Sequence, residues 1–151
     1  MPDSKVKNQM SRLDTFLDFY NGLTNKELHR LTELYHPDIR FIDPVHEVRG
    51  SDALQRYFEH AYARLSYCQF ERKAQSEQGE CGFISWQMIF AHQAISKGKK
   101  VQLEGCSELH WHADGRIICH RDYYDLTELV YQHLPVIGWA TRQVKQRMAQ
   151  A

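Results

Sequence analysis

The chain has 151 residues, equal numbers of acidic and basic side chains, and an apolar share of 42%. That length suits one domain with one substantial core, and the balanced charge gives no electrostatic footing for nucleic acid or an anionic membrane. No apolar run is long enough to span a bilayer and the first dozen residues lack a leader's apolar stretch, while four cysteines without a C-x-x-C pair fit a reduced, cytoplasmic chain better than a disulfide framework.

Residues 1–10 are polar and read as a frayed tail, leaving 11–151 as a single domain. Leu13, Phe16, Leu17 and Tyr20 fall at i, i+3, i+4 and i+7, one apolar helical face that Asn21-Gly22 ends. Thr24 with Glu27 three residues on predicts a capping box and a second helix burying Leu28, Leu31, Leu34 and Tyr35, stopped by Pro37. Ile39 to Ile42 reads as extended, and Pro44 keeps Asp43 out of the helical region. Two readings of Asp43 stand at this point. It is a carboxylate at a core edge, placed for acid–base work, or it caps its own turn in Asx fashion. Gly50-Ser51 opens a third helix with the face Leu54, Tyr57, Phe58, Ala61, Tyr62 and Leu65.

From Tyr67 the period changes to two. Residues 67–78, 82–95, 100–112 and 116–125 read as four strands joined by short turns, Asp114-Gly115 being the strongest hairpin signal. A two-residue hairpin there pairs Trp111 with Ile118, Leu109 with His120, Ser107 with Asp122 and Gly105 with Tyr124. Leu103, Ser107, Leu109, Trp111, Ile118, His120 and Asp122 then share one face, and the large apolar members turn it toward the helices. His120 and Asp122 become polar groups in an apolar interior, costly unless paired or lining a cavity. Asp125 to Glu128 reads as another capping box opening Leu129 to Leu134, and Trp139 to Met148 as a last helix, so a helical extension covers 127–149. Helices followed by an antiparallel meander make an α+β fold, with the helices on one face of a single curved sheet.

Tyr35, the Asp43-Pro44 pair eight residues later and Gly50 resemble the base-bearing segment of ketosteroid isomerases. The run Arg121-Asp122-Tyr123-Tyr124-Asp125-Leu126 resembles the end of the last strand in limonene epoxide hydrolases. Both belong to the nuclear transport factor 2-like (NTF2-like) superfamily, which also holds the SnoaL-type polyketide cyclases. The resemblance implies a cone-shaped α+β fold, with three N-terminal helices on a curved antiparallel sheet and here an extra C-terminal helix. It implies catalytic positions at Asp43 and Asp122. The chain departs from both branches. Phe16 stands where the isomerases place an oxyanion-binding tyrosine and Ser107 where they place a protonated Asp. The strand 82–96 lacks the Arg and second Asp of the hydrolases, and Asp43 stands where those enzymes have Asn. SnoaL-like is the label that accommodates these differences.

Asp43, Asp122 and His120 are the expected acid–base set, with His46, Tyr57, Trp86, Ser107, Trp111 and Tyr124 around an apolar small molecule. Histidine ordinarily titrates near neutrality, which suits proton transfer. No cofactor is expected. His110, His112 and Cys119 share the outer face, but without tight ligand spacing no metal is expected either. That outer face suits a homodimer. The alternative function is a non-catalytic ligand-binding or dimeric interaction module. The two differ in whether the cone is hollow or filled by aromatic side chains.

Overall fold

The computed structural model describes residues 10–129 and 135–150. Helix α1 (Arg12–Gly22) starts at a reciprocal capping box: the Asp14 N–H donates to the Ser11 hydroxyl and the Ser11 N–H to the Asp14 carboxylate. Its predicted stripe, Leu13, Phe16, Leu17 and Tyr20, is buried.

The capping box expected at Thr24 does not form, and no side chain caps the turn at Glu27. The segment is a 3-10 turn over Leu28–Arg30 followed by one α-helical turn, α2 (Leu31–Leu34). Tyr35, expected to end a helix, is already extended and opens strand β1 (Tyr35–Ile42), with Pro37 inside the strand rather than after a helix. The proline is tolerated because the ladder to the neighbouring strand breaks between Tyr35 and Arg40, so no hydrogen bond is lost there. A short strand β2 (Glu47–Arg49) folds back on β1. Gly50, at φ +87°, then turns the chain into α3 (Ser51–Tyr62), which buries Leu54 and Phe58.

Four long strands follow: β3 (Leu65–Gln78), β4 (Cys81–His92), β5 (Lys100–Trp111) and β6 (Ile117–Tyr124). Residues expected to extend β4 instead make a single turn, α4 (Gln93–Ser96). The six strands form one open, curved sheet in the order β2-β1-β6-β5-β4-β3. The expected meander is antiparallel, but β1 joins β6 in parallel, so the sheet is mixed.

The hairpin is one residue longer than expected. His112 donates from its N–H to the Arg116 carbonyl at 2.8 Å, around Ala113-Asp114-Gly115 with Gly115 at φ +87°. This is the three-residue loop with a left-handed glycine. A bulge then sets Ile117 rather than Ile118 opposite Trp111 and buries Ile117. Beyond the bulge the expected pairs return: Leu109 with His120, Ser107 with Asp122 and Gly105 with Tyr124.

After β6, the Asp125 carboxylate accepts from the Thr127 N–H at 2.8 Å and opens the single turn α5 (Leu126–Leu129). The rest of the helix expected over Leu129 to Leu134 lies outside the described residues. Helix α6 (Pro135–Ala149) contains the expected Trp139 to Met148 segment and is tied back by Lys145 Nζ to Asp125 Oδ2 at 2.6 Å. Among the described residues no helix is long and apolar enough to cross a membrane.

The core lies between the helices and the inner face of the sheet, joining Leu13 and Phe16 of α1 and Phe58 of α3 to Ile84, Trp86 and Leu109. Gly105 has a specific part in it. The Trp86 indole lies across β5 at this glycine, where a Cβ would collide with the ring. That close approach brings the indole N–H to Ser107.

Candidate functional site

Alternation along β5 and β6 places Ser107, His120 and Asp122 on the inner face, and all three join one hydrogen-bonded set. His120 is 2% exposed, so its ring nitrogens need protein partners. Nδ1 lies 2.7 Å from the Tyr35 hydroxyl and Nε2 lies 2.6 Å from Asp122 Oδ1. Tyr35 is in turn 2.5 Å from the Tyr20 hydroxyl. On the other side, Trp86 Nε1 donates to Ser107 Oγ at 3.0 Å and Ser107 donates to Asp122 Oδ1 at 2.6 Å.

These contacts have one self-consistent direction. Indole N–H is only a donor and an ionised carboxylate only an acceptor. One line runs Trp86 to Ser107 to Asp122, and the other Tyr20 to Tyr35 to His120 to Asp122. His120 then carries its proton on Nε2, an assignment fixed by its partners. Burial holds the phenols of Tyr20 and Tyr35 well above the usual tyrosine range, which keeps them donors. Both lines end on Oδ1, and no donor among the described residues takes Oδ2.

Asp122 borders two spaces. A pocket of about 270 Å³ is lined mainly by apolar and aromatic side chains, with Asp43, Tyr57, His92, Asp122 and Tyr124 among its polar members. A smaller space of about 30 Å³, room for a water molecule, lies between Phe16, Trp86, Ser107 and Asp122. Among the described residues no lysine or arginine lines either one.

Asp43 reaches the larger pocket from the turn between β1 and β2. Its Oδ1 accepts from the N–H groups of Val45 at 2.8 Å and His46 at 2.7 Å, the Asx-type cap, while Oδ2 accepts from the Tyr57 hydroxyl of α3. Asp43 thus makes the Asx-type cap of one sequence reading and also borders the pocket. Burial, then the hydrogen bond to Asp43, raise the Tyr57 phenol far above its usual range. Tyr124 is raised first by burial, then by Asp43 and by Asp122, so it feels both carboxylates. Cys68, also on the pocket wall, is pushed up to about 12 by burial and stays an inert thiol.

Two expected wall residues lie elsewhere. Trp111, the last residue of β5, packs beside Gly82 and Leu13, under the Arg12 guanidinium at 4.1 Å. His46 is largely exposed; its backbone caps Asp43 and its ring meets the edge of Tyr57, outside the pocket lining. Trp86 and Ser107 line the smaller space rather than the larger. Two participants were missed. In the sequence Tyr20 reads only as a core position, although it lies one turn beyond Phe16 on the same stripe, and Tyr35 reads as a core position and a mark of the family resemblance but not as a member of the site. Phe16 itself packs its ring edge against His120 with centroids 5.3 Å apart.

A family model for the SnoaL-like domain matches residues 16–120, ending two residues before Asp122. No curated protein sequence matches the chain. Among solved structures, the chain is similar to a candidate SnoaL-like polyketide cyclase from Jannaschia sp. CCS1, at 15% identity over 85% of this chain and 96% of that one, with a TM-score of 0.66. It is similar also to a candidate isomerase of the SnoaL-like family from Agrobacterium tumefaciens str. C58, at 20% identity over 76% and 94%, with a TM-score of 0.60. An NTF2-like protein of unknown function from Burkholderia pseudomallei K96243 aligns at 14% identity over 76% and 88%, with a TM-score of 0.64. Identities this low show a shared fold.

Proposed function

The chain belongs to the SnoaL-like domain family, and we propose that it is a small-molecule enzyme doing general acid–base chemistry on an apolar substrate held in the cone pocket. The chemistry is of the isomerase, cyclase or epoxide hydrolase type. The observation that carries this reading is Asp122. One of its oxygens is anchored by His120 and Ser107, and the other has no protein donor among the described residues, on the wall of a mainly apolar pocket. A carboxylate oriented in this way is pre-set to exchange a proton with a bound molecule. His120, steered by Tyr35, holds the orientation and balances the carboxylate through its N–H. Asp43 acts through Tyr57, whose hydroxyl it fixes at the pocket wall.

The experiment is a panel of apolar carbonyl and epoxide compounds, read by thermal shift and then by conversion. The reading expects a compound that both stabilises the protein and is converted, with Ala61→Trp, which fills the pocket, removing both effects. Unchanged turnover of that compound in both Asp43→Asn and Asp122→Asn would end the catalytic reading. A non-catalytic carrier is the second reading. It is favoured by Asp43, whose oxygens are all taken by Val45, His46 and Tyr57. A carrier binds without converting any member of the panel.

A further inference from the structure

Cys81 opens β4, and its register partner on β5 is His110. Glu108, two residues back on β5, projects to the same face, the one turned away from the helices and the pocket. The Cys81 sulfur lies 3.9 Å from His110 Nε2, and Glu108 Oε1 lies 2.8 Å from that same nitrogen. All three ligand atoms fall within 4.8 Å of one another. Ordinary zinc bond lengths in a tetrahedron separate sulfur, nitrogen and oxygen ligands by roughly 3.4–3.6 Å. The observed gaps straddle that value, so small side-chain rotations suffice.

We propose that Cys81, Glu108 and His110 form a zinc(II) site on the outer face of the sheet, with a fourth position that no described residue of this chain fills. Thiolate, imidazole and carboxylate together suit tetrahedral zinc better than the harder magnesium or calcium. A supporting contact is already in place: Glu108 Oε2 accepts from the Tyr123 hydroxyl at 2.8 Å, fixing the carboxylate as metal ligands are usually fixed. Among the described residues no lysine or arginine lies within ion-pair distance of Glu108, although Arg121, its register partner on β6, acts on the carboxylate from further off. Binding through Nε2 takes the neutral His110 tautomer with its proton on Nδ1, and displaces the thiol proton of Cys81 to solvent.

A second group, His36, His112 and Asp114, lacks this fit. Arg116 grips Asp114 through two nitrogens at 3.0 and 2.8 Å and holds its carboxyl down at about 2, so a cation already occupies that carboxylate. The trio weighed from sequence, His110, His112 and Cys119, is thus divided: His112 joins His36, Cys119 is in neither group, and His110 joins Cys81 and Glu108. Cys81 and His110 are brought together by strand pairing, which no linear ligand spacing records.

The test is titration of the metal-free full-length protein with cobalt(II) and zinc(II). The proposal expects one equivalent bound, with a thiolate-to-cobalt charge-transfer band. Cys81→Ser and His110→Ala should each abolish the band with an unchanged circular dichroism spectrum, and Tyr123→Phe should weaken zinc binding about 10–100-fold. Absence of the band, or equal zinc affinity in either ligand variant, would overturn it.

Discussion

His120 is the residue on which the buried network turns. Its two nitrogens join the tyrosine pair to the pocket carboxylate through hydrogen bonds that are fully buried on the tyrosine side and part-buried at Asp122. Tyr35→Phe removes the donor to Nδ1 and the acceptor for Tyr20 at once. It should cost about 1–3 kcal/mol in urea unfolding, the range for orphaned buried polar groups. The same tyrosines set an alkaline limit. Their phenols hold protons above the usual tyrosine range because they are buried. Below about pH 10 folded and unfolded phenols are both protonated and the contribution is whole. Above it the unfolded chain releases protons that the folded chain keeps, so stability falls, by up to about 1.4 kcal/mol per pH unit for each phenol. Urea midpoints across the alkaline range check this, and Tyr35→Phe should give the shallower decline. At this scale the sequence was informative where alternation applies. Counting back from the hairpin puts His120, Asp122 and Ser107 on the inner face, where the structure has them. The partners Tyr20 and Tyr35 were not paired with them, because contacts between residues 15 and 85 positions apart leave no periodic trace.

Elements whose signal is a long period matched best. The stripe of α1, the start of α3 after Gly50 and the β4–β5–β6 pairing all follow from 3.6-residue or two-residue repeats. The misreadings are local. The Thr24 box and the Leu28 to Tyr35 stripe resemble a helix, yet tertiary pairing with β6 draws Tyr35 into a strand. The hairpin gained a residue because Gly115 supplies the left-handed position of a longer loop, and the bulge then exchanged Ile118 for Ile117. Gly105 shows how an element carries the site. It admits the Trp86 ring across β5, and that ring reaches Ser107 and through it Asp122. Gly105→Ala should push Trp86 aside and cost about 1–3 kcal/mol as overpacking, with a change in tryptophan fluorescence. Unchanged stability and emission would mean the close approach is not needed.

For the whole molecule, the sequence left open whether the cone is hollow. The structure has a pocket of about 270 Å³ between α3 and the sheet, despite the many aromatic side chains of the core. Volume of this kind depends on how rings tilt against one another, which composition does not encode. The outer face carries Phe83 and Tyr123, each 44% exposed, and a homodimer through it is our proposal from that surface. Light scattering should give twice the chain mass, and Phe83→Asp should return the monomer. The central claim concerns the inner face and rests on Asp122. The measurement that tests it most directly compares wild type with Asp122→Asn on the first converted substrate, taking Kd and kcat separately. The account predicts near-equal Kd, since the amide keeps the shape, with kcat lowered roughly 10²–10⁴-fold. An unchanged kcat would contradict it.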